Sequence, residues 1–153
     1  MDGLTLREMT GSDIGAVTAL MTELGEFVHS DMKISAEKIR LAYDAMHGLG
    51  EIYFNLIAEL NGRIAGFCSA VFYKTFLETG GTALINELVV SKAFRGTGIG
   101  RALVERTVSE ALKRGMNEIN VGTEKSNAGA QIFYTKTGFD VQYVLFGREF
   151  DDK

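Results

Sequence analysis

A chain of 153 residues, 46% apolar and 24% charged, is long enough to bury a core without staples and matches one domain over 1–153. A net charge of −4 argues against a dominant nucleic-acid role, and a single cysteine excludes an internal disulfide. No Cys/His cluster has metal-ligand spacing, the N-terminus lacks a leader pattern, and no apolar run nears the ~20 residues of a membrane span, so no metal and no membrane are expected and cytoplasmic residence is the default.

Taken in chain order, residues 3–9 read as a strand. A helix follows from Ser12 to Gly25, with Ile14, Val17, Leu20, Met21 and Leu24 on one face and Ser12 or Asp13 as cap. A second helix runs from about Ser35 to His47, capped by Ser35 and closed by Gly48 and Gly50. Strands near 52–60 and 63–73 are joined by Asn61-Gly62, a strong hairpin signal. Cys68 sits in the second of these among apolar neighbours and reads as a small core residue. Tyr53, Tyr73 and Phe76 either line a pocket or simply pack. His29, Asp31, Glu23 and Glu26 suggest an acidic rim suited to a cationic amine, although an exposed turn explains them equally well.

The next segment is the most informative. Ala83 to Val90 reads as a buried strand, and Ile99, Leu103, Thr107, Val108, Ala111 and Leu112 recur at helical spacing up to Lys113-Arg114-Gly115. Between them lies Arg95-Gly96-Thr97-Gly98-Ile99-Gly100-Arg101. A glycine-rich turn entering a helix presents free N–H groups and a partial positive charge, which favour a bound phosphate. Four basic residues against one acidic between Lys92 and Arg106 add to this. Spacing decides the type of cradle. No Gly-Lys pair exists for a Walker A loop, and the third glycine of G-x-G-x-x-G falls on Leu103. The pattern R/Q-x-x-G-x-G/A fits, with Arg95, Gly98 and Gly100 as its fixed members.

A short strand at 118–121 and a helix over 126–137 follow, and Gly138 ends that helix. Phe139 opens a last strand to about Phe150. Asn127, Ala130, Phe133-Tyr134 and Gly138-Phe139 form a second motif at the right distance from the first. By these two motifs, spanning about 83 to 140, the chain resembles the GNAT superfamily, the Gcn5-related N-acetyltransferases. The element order β-α-α-β-β-β-α-β-α-β agrees with that fold. It implies an α/β domain with a mixed sheet of about six to seven strands and about four helices.

The resemblance implies acetyl-CoA as co-substrate. Its pyrophosphate is expected on Gly96, Thr97, Gly98, Ile99, Gly100 and Arg101 beside Arg95, and its pantetheine arm along Leu88, Val89 and Val90, with Asn127 contacting the same arm. In the family the strand before the loop and the strand near 118–121 are parallel but splay apart, leaving a slot for this arm. Tyr134 matches the residue that reaches the sulfur and protonates the leaving thiolate. Its plainer reading is a core aromatic.

Acyl transfer also needs a neutral amine. A lysine-like ammonium of pKa near 10.4 costs about 4.6 kcal/mol to deprotonate at neutrality unless the site helps. Glu87, a charge in an apolar strand eight residues before Arg95, is the candidate base; a solvated strand end or a structural ion pair is the alternative. An amide near Val89 is the expected oxyanion donor. Some protein-acetylating members carry a base five residues before the Asn, where this chain has Gly122. That shifts weight to Glu87 or a water-mediated route, and because one compact domain shows no accessory docking segment, the expected acceptor is a small primary amine such as a polyamine, amino acid or aminoglycoside. A protein or peptide N-acetyltransferase and a non-catalytic acyl-CoA-binding module are the rivals. A homodimer is common for the fold, and the sequence leaves the oligomeric state open.

Overall fold

The computed structural model describes residues 2–26, 33–148 and 150. Its elements are β1 (Leu4–Glu8), α1 (Ile14–Gly25), α2 (Ala36–Met46), β2 (Tyr53–Leu60), β3 (Arg63–Tyr73), β4 (Thr82–Val90), α3 (Ile99–Lys113), β5 (Glu118–Val121) and α4 (Ala128–Lys136). The five strands form one sheet in the order β1-β2-β3-β4-β5, antiparallel except for the parallel β4–β5 pair. Local chemistry explains most boundaries. Ser35 caps α2 by accepting from the Lys38 N–H at 3.2 Å. Asn61 and Gly62, both at positive φ, close the β2–β3 hairpin as the sequence predicts.

One side of the sheet packs on α3, where Ile99, Leu103, Val104 and Ala111 meet Leu56, Cys68, Ala70 and Ile85; Phe133 of α4 joins this core. The other side packs on α1 and α2 through Val17, Leu20, Ile57, Phe67 and Val89. Alternation of side chains along each strand supplies both faces.

An ion pair ties β1 to the start of α1. Arg7 grips Asp13 through two bonds of 2.8 Å, and Asp13 also accepts from the Thr10 N–H at 2.8 Å. The Arg7 guanidinium holds the Asp13 carboxyl down at about 2, against the opposing effect of burial. A depressed carboxylate contributes stability above its unfolded value of 3.8, and this is lost as pH falls through about 2. Asp13→Ala is expected to lower the unfolding free energy by about 2 kcal/mol at neutral pH. Urea denaturation at pH 7 and again near pH 2.5 checks it, since the deficit should shrink in acid.

Among the described residues the sheet has five strands instead of six or seven, because residues 139–148 form no strand. Val141, Tyr143 and Leu145 alternate as a strand would, yet all three are exposed. Periodicity specifies a pleat but does not supply a partner, and β5 offers only four residues before Gly122. A bond of 3.4 Å from the Tyr143 hydroxyl to Glu118 Oε2 holds the segment beside β5 without a ladder.

Candidate active site

Two irregularities in β4 shape the site. The first is where its partner ends. β5 pairs with β4 only from Thr82–Glu118 to Ile85–Val121, so the second half of β4 has an open edge on that side. On its other edge this half pairs with β3, and the Ser91 N–H bonds the Ala65 carbonyl at 2.9 Å. The alternation of an antiparallel ladder then turns the Val89 amide toward Phe67 and the Leu88 and Val90 amides toward the open edge.

The second irregularity is a bulge. Register passes from Ser69–Glu87 to Ala70–Ile85, so Asn86 is an extra residue on β4. Such an insertion reverses the faces of a strand. Ile85 points into the α3 core, whereas Glu87, two residues on, lines a cavity beneath α1 and α2.

Past β4, the chain makes the glycine turn. Gly96 and Gly98 have φ of 76° and 91°, conformations that an L side chain resists. Gly98 is the cap of α3, and the helix begins with the Ala102 N–H bonded to its carbonyl at 3.0 Å. The amides of Ile99, Gly100 and Arg101 therefore lack an intrahelical acceptor. Gly100 lies against Phe133, whose ring atom would stand 3.3 Å from an added Cβ, so the start of α3 packs closely on the middle of α4.

The loop's cations are already anchored. Arg95 donates to the Val90 carbonyl at 3.1 Å and lies 3.8 Å from Glu23, and Arg101 donates to the Lys136 carbonyl at 3.1 Å. Glu23 also accepts from the Ser91 hydroxyl and the Lys92 N–H, and Glu26 pairs with Lys92. These two carboxylates thus serve the loop and do not form a rim for an amine. His29 and Asp31 lie outside the described residues.

On α4, Asn127 is the cap and stands just outside the helix, its Oδ1 accepting from the Ala130 N–H at 3.0 Å. Tyr134 packs edge-on against Phe133 at 5.3 Å and Phe139 at 5.5 Å. Burial, with a smaller effect from the Cys68 thiol, raises its phenol to about 12. The hydroxyl therefore keeps its proton at neutral pH. Cys68 is fully buried opposite Leu88 and bonded to Thr107, an inert core thiol.

The cavity on the other face measures about 90 Å³. Met9, Met21, Met46, Tyr43 and Phe67 are among its walls, and Asn55, Ser69 and Glu87 are the polar groups that the sheet contributes. Burial raises the Glu87 carboxyl above its ordinary value, while the adjacent Ser69 hydroxyl favours the charged form. Tyr53, Tyr73 and Phe76 do not line this cavity; Tyr73 and Phe76 are exposed. Asn55, Ser69 and the methionines were missed in the sequence. None carries a local signal of a site, and only strand register and the packing of α1 and α2 on the sheet bring them together.

The chain belongs to the acetyltransferase (GNAT) family, whose model matches residues 19–139. An uncharacterized N-acetyltransferase of Methanocaldococcus jannaschii is 34% identical over 93 residues, covering 60% of this chain and 41% of the relative, so the chain spans under half that protein's length. A Salmonella typhimurium L-methionine sulfoximine/L-methionine sulfone acetyltransferase is 26% identical over 157 residues, covering 97% of this chain and 90% of its own. The fold matches the solved structure of a putative acetyltransferase from Agrobacterium tumefaciens with a TM-score of 0.83 at 20% identity, over 95% and 99% of the two chains.

Proposed function

We propose that the protein transfers an acetyl group from acetyl-CoA to the primary amine of a small molecule, directly, with both substrates bound together. The observation that carries this is β4: its end leads into the amide-rich turn on one side, and its bulge turns Glu87 into the cavity on the other. The free amides of residues 99–101, the flanking arginines and the open edge at Leu88 and Val90 fit a diphosphate on an extended arm. The exposed glycines leave that turn accessible. Leu88, Val90, Arg95 to Arg101 and Asn127 form the cofactor side of this reading, and Val89, whose amide is turned to Phe67, lies between the two open amides.

The amine nitrogen attacks the thioester carbonyl, so a C–N bond forms and the C–S bond breaks. Glu87, directly or through a water, takes the proton that the amine loses. The phenol of Tyr134 gives a proton to the departing sulfur, and its raised pKa keeps that proton available. The amides turned to the open edge are placed to stabilise the oxyanion. A cavity of 90 Å³ suits part of a small amine, and the Salmonella relative is named for acting on two small amino-acid derivatives.

A thiol-release assay over a panel of amines tests this. Turnover is expected with at least one small amine, and Tyr134→Phe should cut kcat about 100-fold with little change in KM. Acetyl-CoA binding without turnover on any amine would instead support a binding module.

A further inference from the structure

Three polar side chains of the sheet line the cavity beneath α1 and α2. Asn55 of β2 is the register partner of Ser69 of β3, and Ser69 is the partner of Glu87 of β4. They form one row across three strands, with Asn55 and Glu87 roughly 10 Å apart at their Cα atoms given ~4.8 Å per strand. All three line the same cavity.

Glu87 and Ser69 face each other within this row. Asn55 is different. Its Nδ2 donates to Met46 Sδ at 3.6 Å, which orients the amide, and its Oδ1 is buried with no hydrogen-bond donor among the described residues. Its backbone carbonyl is already taken by the Met9 N–H at 2.8 Å, so the unmet demand is confined to the side chain. A buried acceptor without a donor destabilises a fold, and such a group is completed by an ordered water, an ion or a bound ligand.

We infer that Asn55 reads the far end of the acceptor, which is a short primary amine bearing a neutral hydrogen-bond donor such as a hydroxyl or amide. This rests on the acyl-transfer reading above. With the reacting nitrogen at Glu87, the second donor meets Asn55 Oδ1 along the polar row. Met9, Met21 and Met46 give the spacer a soft, adaptable wall. Among the described residues, the cavity lining contains no lysine, arginine or histidine, and Glu87 is its one carboxylate. Among those described groups, a second ammonium at the Asn55 end would find no countercharge and a carboxylate there no cation. The cavity volume of 90 Å³ equals that of about three waters, room for a spacer of a few methylenes. An amino alcohol fits this description and a diamine does not.

The probes are 4-aminobutan-1-ol, n-pentylamine, which lacks the donor, and 1,4-diaminobutane, which is charged at both ends. Thiol release gives kcat/KM, and calorimetry gives the Kd of each amine for the acetyl-CoA-free protein. The wild-type chain is expected to prefer the amino alcohol over pentylamine by about 10–100-fold. Asn55→Leu should erase that preference, chiefly through KM, and raise Tm by about 2–4 °C because the unmet oxygen is gone. Asn55→Asp should shift preference toward the diamine. This second variant keeps the test decisive if the first folds poorly. Turnover with the same preferences in both variants overturns the inference while acyl transfer stands. Asn55-dependent binding without thiol release upholds it while acyl transfer fails. Neither binding nor turnover with any probe overturns both.

Discussion

Glu87→Gln is expected to lower kcat by about 10²–10⁴-fold with acetyl-CoA affinity unchanged. The bulge at Asn86 aims this carboxylate at the cavity, and among the described residues no other carboxylate lines that space. Its pKa is raised, by burial, above the ordinary 4.5, with Ser69 offsetting part of the effect. The base is active only when ionised, so the acid limb of kcat/KM should lie above the usual carboxylate range. The stability sign is opposite to that of Asp13. A carboxyl with a raised folded pKa binds protons more tightly in the folded state, so its contribution to stability falls as pH rises from 4.5 through the folded value. Glutamine, neutral throughout, should therefore match or exceed the wild-type Tm at pH 7. Low activity joined to undiminished stability is the expected signature of a group kept for chemistry. A wild-type pH profile in Glu87→Gln would remove Glu87 from the reaction.

Gly98→Asp should weaken acetyl-CoA binding by about 100-fold or more, roughly 2.7 kcal/mol. Two effects combine. At φ of 91° a side chain is strained by about 1–2 kcal/mol in the turn that aims the amides. A carboxylate at the helix cap then occupies the anion site and repels the diphosphate. Gly98→Ala separates these, because it carries the strain without the charge and should cost about tenfold. Titration calorimetry with acetyl-CoA measures both. Wild-type affinity in Gly98→Asp would mean that the diphosphate binds elsewhere.

Much of the fold was legible because local chemistry and pattern agree. The hairpin followed from Asn61-Gly62, the start of α2 from Ser35, and the strand-turn-helix of β4 and α3 from β-branched residues, glycines and helical spacing. The family itself was legible in two short motifs, and the matching family model covers both. Where local signals compete with distant ones, the reading failed. The alternating residues after Phe139 specify a pleat, yet a strand exists only when another backbone meets it. Asn127 belonged to the predicted helix by spacing, but its side chain satisfies the first amides better from the cap.

The sequence alone determined the chemistry available: a turn rich in amide donors, a phenol in the helix beyond, and one carboxylate in an apolar strand. The tertiary structure decided what that chemistry faces. By period 2, Glu87 and Ile85 belong on the same side of β4; one extra residue, opposed by none on β3, puts them on opposite sides. Likewise nothing near Asn55 in the chain announces its role, because register across three strands sets it beside residues 14 and 32 positions away. Side-chain types are fixed residue by residue, whereas facing and neighbourhood depend on how distant backbones align, and that alignment exists only once the sheet has formed.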